Sequence, residues 1–407
     1  MAPGGADSVR GRNVLLCVSG GVAAYKAAYL ARRLVENGAA VRVIMTASAR
    51  RFLGEQTMAA ITGSRPHTDL FDTATVSPHT DLAKWTDVVV IAPATAATMS
   101  RIASGLSEDL LTATVLASVA PIVVAPAMHT EMWEHPATQR NVATLAGDRV
   151  RIVGPATGAL AGGDSGDGRM VEPDEILAEI SRVLGPGDME GLRVVVSAGG
   201  TREAIDPVRY IGNRSSGRMG AAIAAAASAR GADVVLVTSA GGAGLPGIRT
   251  VEVESAEDMA EAVWANAEKA DVVVMAAAVA DFRPTGAAPE KLRRSEGPPD
   301  IRLEPTPDIL AGVAAMEPRP FLVGFAAETG SIDAAVAKAT SKGVDLLVAN
   351  DVSHEGSGFG SPTNEVTIVT PDGATEPWTL MGKREVAERL WDKVLAMREP
   401  GRGGEGR

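Results

Sequence analysis

The residues of this chain that could do chemistry fall into two groups. The first opens with VLLCVSGGVAAYK (14–26), an apolar run ending in Ser19, Gly20 and Gly21 ahead of a helical pattern. A turn of that kind aims backbone N–H groups at an anion above a helix N-terminus. It is not GxGxxG, and the second run, VRVIMT, ends without the acidic residue that dinucleotide sites use on the ribose. A mononucleotide phosphate suits it better. Thr46 and Ser48, then Thr95 and Thr98 in APATAAT, add hydroxyls after later apolar runs. Ser and Thr also cap helices, and both roles can hold at once. Imidazoles move protons near neutral pH, so His79, after Ser77-Pro78, and His129, in APAMHTEMW, are acid–base candidates, although a lone histidine is more often a surface or capping residue.

The second group opens with SAGGTREAIDPVRYIGNRSSGRMG (197–220). Gly199, Gly200 and Gly217 permit backbone to approach a phosphate, and Arg202, Arg209, Arg214 and Arg218 supply positive charge. Asp206-Pro207 and the glycine spacing favour a fixed conformation over a solvated loop. Downstream lie AAAVADFRP (276–284), APEKLRR (288–294), TPDIL (306–310), GFAAET (324–329) and VANDVS (348–353). Lys291 stands beside Arg293 and Arg294 in a basic loop of the kind that closes over a nucleotide. Lys338 and Lys342 are spaced i,i+4 on one helix face, where they could also be merely solvated.

These residues need scaffolds to hold them. Short apolar runs at 14–18, 40–45, 87–92, 121–127 and 149–154 alternate with helical patterns, a helix beginning near Val22 and a last one covering Asp174 to Leu184. The pattern stops at GPGDMEG (185–191) and restarts with runs at 192–200, 232–239, 270–278, 320–327 and 344–350. Such alternation specifies α/β architecture: two consecutive Rossmann-like, doubly wound domains over 1–186 and 190–398, with a boundary near Gly187 and a disordered tail at 399–407. In this fold class ligands sit outside the carboxyl ends of strands, where the residues above must lie.

Composition narrows the function further. The net charge is −11, and both halves of the chain are acidic, so neither has the basic surface of a nucleic-acid binder. Aromatics are only 3%, leaving cores of Ala, Val, Leu and Ile. The single cysteine, Cys17, excludes an intrachain disulfide and a cysteine zinc cage. The first residues lack the apolar stretch of a signal peptide, and no run has the length of a membrane span. A soluble, cytoplasmic enzyme with no membrane or nucleic-acid partner is expected.

SGGVAAYK, HTDLAKWTDVVVIAPAT (79–95) and APAMHTEMW (125–133) resemble the flavoprotein family of 4'-phosphopantothenoylcysteine and lantibiotic cysteine decarboxylases, over essentially all of 13–184. The resemblance implies FMN held at a trimer interface by Ser19, Gly21, Thr46, Ser48, Thr95, Thr98 and Ala127, with His79 as the essential histidine. It also gives the flavin a purpose: oxidising the thiol to a thioaldehyde supplies the electron sink that loss of CO2 requires. Two positions depart from the family. His129 stands where the family has an asparagine that binds the carboxylate, and Gly162 in the flap GGDSGDGRM (162–170) replaces a cysteine that donates the final proton. Asp164, Ser165 and His129 are the candidate donors, and full reduction to 4'-phosphopantetheine is expected.

The second group resembles phosphopantothenate–cysteine ligase over nearly all of 190–396, and the order of the halves matches the bifunctional bacterial enzymes of coenzyme A biosynthesis. The resemblance implies that 4'-phosphopantothenate attacks CTP to give an acyl-cytidylate, from which L-cysteine displaces CMP. CTP contacts fall on Met275, Ala276, Ala277, Asp281, Lys291, Thr306, Pro307, Asp308, Ile309, Phe325, Lys338 and Lys342. Asn213 becomes the catalytic residue acting on the acyl-cytidylate, with Arg209 beside it on the substrate and Lys291 counted as catalytic. Mg2+ is expected with the triphosphate, as is a homo-oligomer of decarboxylase trimers and ligase dimers. Two rivals remain: a dinucleotide oxidoreductase, lacking its GxGxxG and distal acid, and a ligase whose flavin domain serves only assembly.

Overall fold

The computed structural model describes residues 8–71, 76–241, 245–293, 299–328, 341–351 and 360–398. The chain divides into two compact units that meet in sequence at Gly187–Asp188.

In the first unit the strands are β1 (Asn13–Val18), β2 (Ala40–Met45), β3 (Val88–Ala94), β4 (Ile122–Pro126) and β5 (Arg151–Ile152). They form one parallel sheet in the order β2-β1-β3-β4-β5. The chain moves outward from β1 to β2, then crosses to β3 on the other side, so the carboxyl ends of β1 and β3 flank the point where the winding reverses. β1 is buried on both faces. Val14, Leu16 and Val18 enter one apolar cluster, while Leu15 and Cys17 enter another. That is why the run reads as continuously apolar rather than alternating. The helix Ala24–Glu36 packs on this sheet through Ala27, Leu30, Ala31 and Leu34, a helical i, i+3, i+4, i+7 stripe. Pro93 has no N–H to give, and the β3–β4 register shifts between Ile91 and Ala94 around it. The run at 149–154 yields only two strand residues, because Gly154 and Pro155 end it. Beyond it comes an antiparallel hairpin of β6 (Ala156–Ala159) and β7 (Ser165–Arg169), the flap of the sequence.

The second unit restarts with β8 (Arg193–Ala198), followed by a hairpin of β9 (Arg202–Ala204) and β10 (Tyr210–Gly212). β11 (Asp233–Thr238), β12 (Arg249–Glu252) and β13 (Val272–Met275) come next, then a second hairpin of β14 (Phe282–Pro284) and β15 (Leu303–Pro305). β16 (Phe321–Glu328), β17 (Leu346–Asp351), β18 (Thr363–Val369) and β19 (Thr375–Gly382) complete it. The main sheet runs β12-β11-β8-β13-β16-β17-β18-β19. Its first six strands are parallel, and β18 and β19 extend it antiparallel. The doubly wound expectation holds for the parallel part. The extension departs from it and carries its own signature: β18 alternates intermediate and buried positions as a half-covered strand does, and Pro371-Asp372-Gly373 makes the turn. The helix Lys383–Arg398 then covers the sheet, with Trp391 fully buried and its indole N–H donating to Ile223 O at 3.0 Å.

Candidate active sites

In the first unit, the flavin-type residues converge at the carboxyl ends of β1 to β4. Ser19 is buried, and its hydroxyl donates to Pro93 O (2.7 Å) while accepting from Thr95 N–H (3.1 Å). One side chain thus joins the ends of β1 and β3 across the reversal point. Thr95 caps the helix Ala96–Ala103, its Oγ1 accepting from Thr98 N–H and lying 3.0 Å from Thr98 Oγ1. Thr46 N–H donates to Val18 O, and Ala127 N–H to Ala94 O, tying in β2 and β4. A Cβ on Gly20 would lie 2.4 Å from Ser48 Cβ, so the turn closes against Ser48 only with glycine there. Ser19, Gly21, Thr46, Ser48, Thr95, Thr98 and Ala127 therefore bound one small-residue, hydroxyl-rich cradle above a helix N-terminus. The N–H groups of Thr46, Thr95, Thr98 and Ala127 are spent within the protein, so a flavin mononucleotide would be met by the Gly20–Gly21 turn and by hydroxyls such as those of Thr46 and Ser48, donors without a fixed charge.

Lys26, the last residue of SGGVAAYK, has a different task. It is buried, and its Nζ donates to Met170 O (2.7 Å) and Glu172 Oε1 (2.9 Å). It fastens the chain leaving the flap to the helix behind the cradle. The Lys26 hydrogen bond, opposed by burial and helped by the Lys26 and Arg169 charges, holds Glu172 below the usual carboxyl range.

His79 sits one residue into the helix Pro78–Trp85, whose N-cap is Ser77, so it is not a capping residue. Its Nδ1 is buried without a hydrogen-bond partner among the described residues. Such a group calls for a ligand or a neighbouring chain. His129 is the N-cap residue of Thr130–Glu134 but its side chain makes no capping bond. Burial above all, with the Asp109 charge adding to it, pushes the Cys17 thiol far up, so it is core rather than nucleophile.

In the second unit, a cavity of about 740 Å³ opens at the carboxyl ends of β13, β16 and β17. Asn213, Met275, Ala276, Ala277, Asp281, Thr306, Pro307, Asp308, Ile309, Phe325 and Lys342 all line it, with Gly217 and Arg218 at the N-terminus of the helix Arg218–Ala229. The segment 276–281 is held by four side chains. Ser197 Oγ accepts from Ala277 N–H (3.1 Å) and Thr201 Oγ1 from Ala280 N–H (2.9 Å). Asn213 Nδ2 donates to Val279 O (2.8 Å) and Thr306 Oγ1 to Ala280 O (2.6 Å). Gly200 lets this happen: a Cβ there would lie 2.3 Å from Asn213 O. Asp308 caps the helix Ile309–Ala314 and pairs with Lys342 at 2.5 Å, which leaves that lysine at the cavity wall.

Arg209 and Lys291 do not line the cavity. Arg209 pairs with the buried Asp206 (2.8 Å) and donates to Leu292 O. Asp206 also accepts from Val208, Arg209 and Leu292 N–H groups. Burial works against its charge, yet those three N–H groups and Arg209 hold its carboxyl low. In this structure Arg209 thus anchors the loop bearing the exposed Lys291. Lys338 lies outside the described residues. Sequence reasoning passed over Asn350, Asn364 and Lys383 as cavity residues. Asn350 was visible within VANDVS, whereas Lys383 comes from the unread antiparallel extension. Burial, with Arg218 nearby, lowers the Lys383 pKa. Among the described residues no three His, Cys, Asp or Glu side chains cluster as a metal cage.

Two α/β units, each with a nucleotide-type site at its strand carboxyl ends, define a two-site enzyme. Residues 6–185 match the family model described as Flavoprotein, and 189–397 match that of the DNA/pantothenate metabolism flavoprotein C-terminal domain. The coenzyme A biosynthesis bifunctional protein CoaBC of Vibrio parahaemolyticus is 46% identical over 374 residues, 90% of this chain and 94% of the relative. The CoaBC protein of Mycobacterium tuberculosis H37Rv is also 46% identical, over 403 residues, 94% of this chain and 96% of its own. That of Bacillus subtilis is 42% identical over 394 residues, 95% and 97% of the two chains. The chain belongs to the family of coenzyme A biosynthesis bifunctional proteins.

Proposed function

We propose that the second unit condenses 4'-phosphopantothenate with L-cysteine at the expense of CTP, and that the first decarboxylates the resulting 4'-phosphopantothenoylcysteine to 4'-phosphopantetheine. The observation that carries this reading is the hydroxyl-tied segment 276–281. With Asn213 and Asp281 it lines one cavity that Lys342 and a helix N-terminus also border, in a chain that matches its bifunctional relatives nearly end to end.

In the ligase cavity the helix N-terminus at Gly217–Arg218, with Lys342 and Lys383, offsets the triphosphate charge in an acidic domain. Mg2+ arrives with the nucleotide, since it binds through one or two carboxylates and substrate phosphates rather than a protein cage. Asp281 and Asp308 are the carboxylates at hand. Asn213 orients the acyl-cytidylate for the cysteine amine, and Lys291 closes over the site to neutralise charge as pyrophosphate leaves.

In the decarboxylase unit the cradle from Ser19 to Ala127 holds FMN through N–H and hydroxyl donors. Bound there, FMN would supply the two-electron oxidation and reduction that loss of CO2 from a cysteinyl group requires. His79, with its unpartnered Nδ1, serves the thiol proton. The working enzyme is a cytoplasmic homo-oligomer of decarboxylase trimers and ligase dimers. No helix among the described residues is long and apolar enough to cross a membrane.

The test is incubation of the purified chain with 4'-phosphopantothenate, L-cysteine and CTP, followed by mass analysis. CMP, pyrophosphate, CO2 and 4'-phosphopantetheine are expected. Cysteine-dependent turnover of CTP without CO2 would leave a ligase whose flavin unit is only structural.

A further inference from the structure

The hairpin β6–β7 and the segment 128–130 fit together through three glycines. A Cβ on Gly168 would lie 2.2 Å from Met128 O, and one on Gly166 2.4 Å from Thr130 Oγ1. A Cβ on Gly162 would lie 2.9 Å from His129 Cε1 and 3.8 Å from its Nδ1. Met128 N–H donates to Gly168 O at 2.9 Å, which holds the two segments at that separation. Gly168 stands against backbone that cannot give way, whereas Gly166 and Gly162 face the side-chain ends of Thr130 and His129, the latter an imidazole. The His129 backbone carbonyl accepts from Met132 and Trp133 N–H while the ring makes no capping bond, so the ring is free to face the hairpin tip. His135, by contrast, uses its Nδ1 to accept from Ala137 N–H.

We propose that His129 is the acid that protonates the substrate carbon vacated by CO2, and that residue 162 is glycine because the imidazole fills its side-chain space. The inference rests on the decarboxylase reading above. Removal of a hydride from the thiolate-bearing carbon, to the flavin that the decarboxylase reading assigns to this unit, makes a thioaldehyde, and cleavage of its carbon–carboxylate bond releases CO2 and leaves an enethiolate, CH=CH–S⁻. His129 as imidazolium gives a proton to the carbon that held the carboxylate, forming CH2–CH=S and leaving the imidazole neutral. The same hydride, returned to the C=S carbon, gives CH2–CH2–S⁻, so electrons balance without an outside oxidant or reductant. An amide at position 129 has no transferable proton, and glycine at 162 offers none. The hairpin's remaining candidates are Ser165 and Asp164, whose Oδ2 lies 3.5 Å from the same Gly162 Cβ position.

The test uses the full-length, FMN-loaded protein with 4'-phosphopantothenoylcysteine, following product mass, CO2 and flavin absorbance. The wild type should give the saturated thiol and reoxidised flavin. His129→Asn should bind FMN normally and release CO2 once, giving a product lighter by two hydrogens and a flavin that stays reduced. Multiple turnover should fall about 100-fold or more. His129→Asn/Gly162→Cys, which places a thiol in the emptied space, should restore the saturated product. In flavin-free, full-length protein, added FMN and substrate should slow carbethoxylation of His129 about tenfold while exposed His135 reacts unchanged. Saturated product from His129→Asn at the wild-type rate overturns the proposal, as does unsaturated product from Asp164→Asn alone or an unprotected His129. A wild type that releases no CO2 removes the decarboxylase reading itself and the inference with it. CO2 release with a saturated product from every variant removes the inference alone.

Discussion

Thr201 is fully buried, and its Oγ1 accepts from the N–H of Ala280, itself 4% exposed, at 2.9 Å. Replacing it with valine keeps the shape and removes the acceptor, leaving a buried N–H unpaired at a cost of about 1–3 kcal/mol. Ser197, Asn213 and Thr306 still hold the same segment, so the loss falls on its middle rather than releasing it whole. Only the part of that cost which the free protein relieves by shifting the segment must be restored when CTP binds, so Thr201→Val should weaken CTP binding by at most roughly 150-fold, at about 1.4 kcal/mol per decade. It should also lower the ligase-unit melting temperature by roughly 2–12 °C, at 2–4 °C per kcal/mol for a domain of this size. Thr201→Ser is the control. It keeps the oxygen and loses a buried methyl group, so it should lower the melting temperature by a few degrees and leave the KM for CTP within about twofold. The assay is pyrophosphate release against CTP concentration with 4'-phosphopantothenate saturating, alongside calorimetry of the full chain. Wild-type KM and melting temperature in Thr201→Val would refute the idea that hydroxyl anchors position 276–281. An equal KM rise in valine and serine variants would trace the effect to packing instead.

Three further outcomes follow from the geometry. His79→Asn should abolish CO2 release while CTP-dependent formation of 4'-phosphopantothenoylcysteine stays within about twofold; matched loss of both activities would disprove the separation of sites. Asn213→Ala should accumulate the acyl-cytidylate, whereas Lys291→Ala should suppress pyrophosphate release itself, and rapid-quench product analysis distinguishes them. Lys26→Met should destabilise the flavin unit by about 2–3 kcal/mol, mostly from the buried bond to Met170 O and only about 0.5–1 from half-exposed Glu172. Because Glu172 is held below its ordinary value of 4.5 in the folded chain, its share is full above about pH 4.5 and fades as pH falls through the lower folded value. Melting curves for wild type and variant should therefore converge partly on the acid side; a gap that widens there would contradict the pairing.

The sequence alone determined the α/β class of the chain and its two-unit architecture. It could do so because buried parallel strands such as VLLCV and DVVVIA must be continuously apolar, and the turns after them must be small and hydroxylic, so local composition and function coincide. What it could not determine depends on pairs far apart in the chain. Arg209 reads as a substrate ligand until Asp206 and Leu292 are seen to hold it. Ser197 and Thr201 read as parts of a Gly-rich turn until the segment nearly 80 residues later donates to them. Lys383 enters the cavity only because β18 and β19 fold back antiparallel beside β17. Gly162 and His129 look like two separate departures from a family pattern until they are seen to share one volume. A hydrogen bond or an excluded volume is a property of two positions in space, and a one-dimensional string records each of them without recording that they meet.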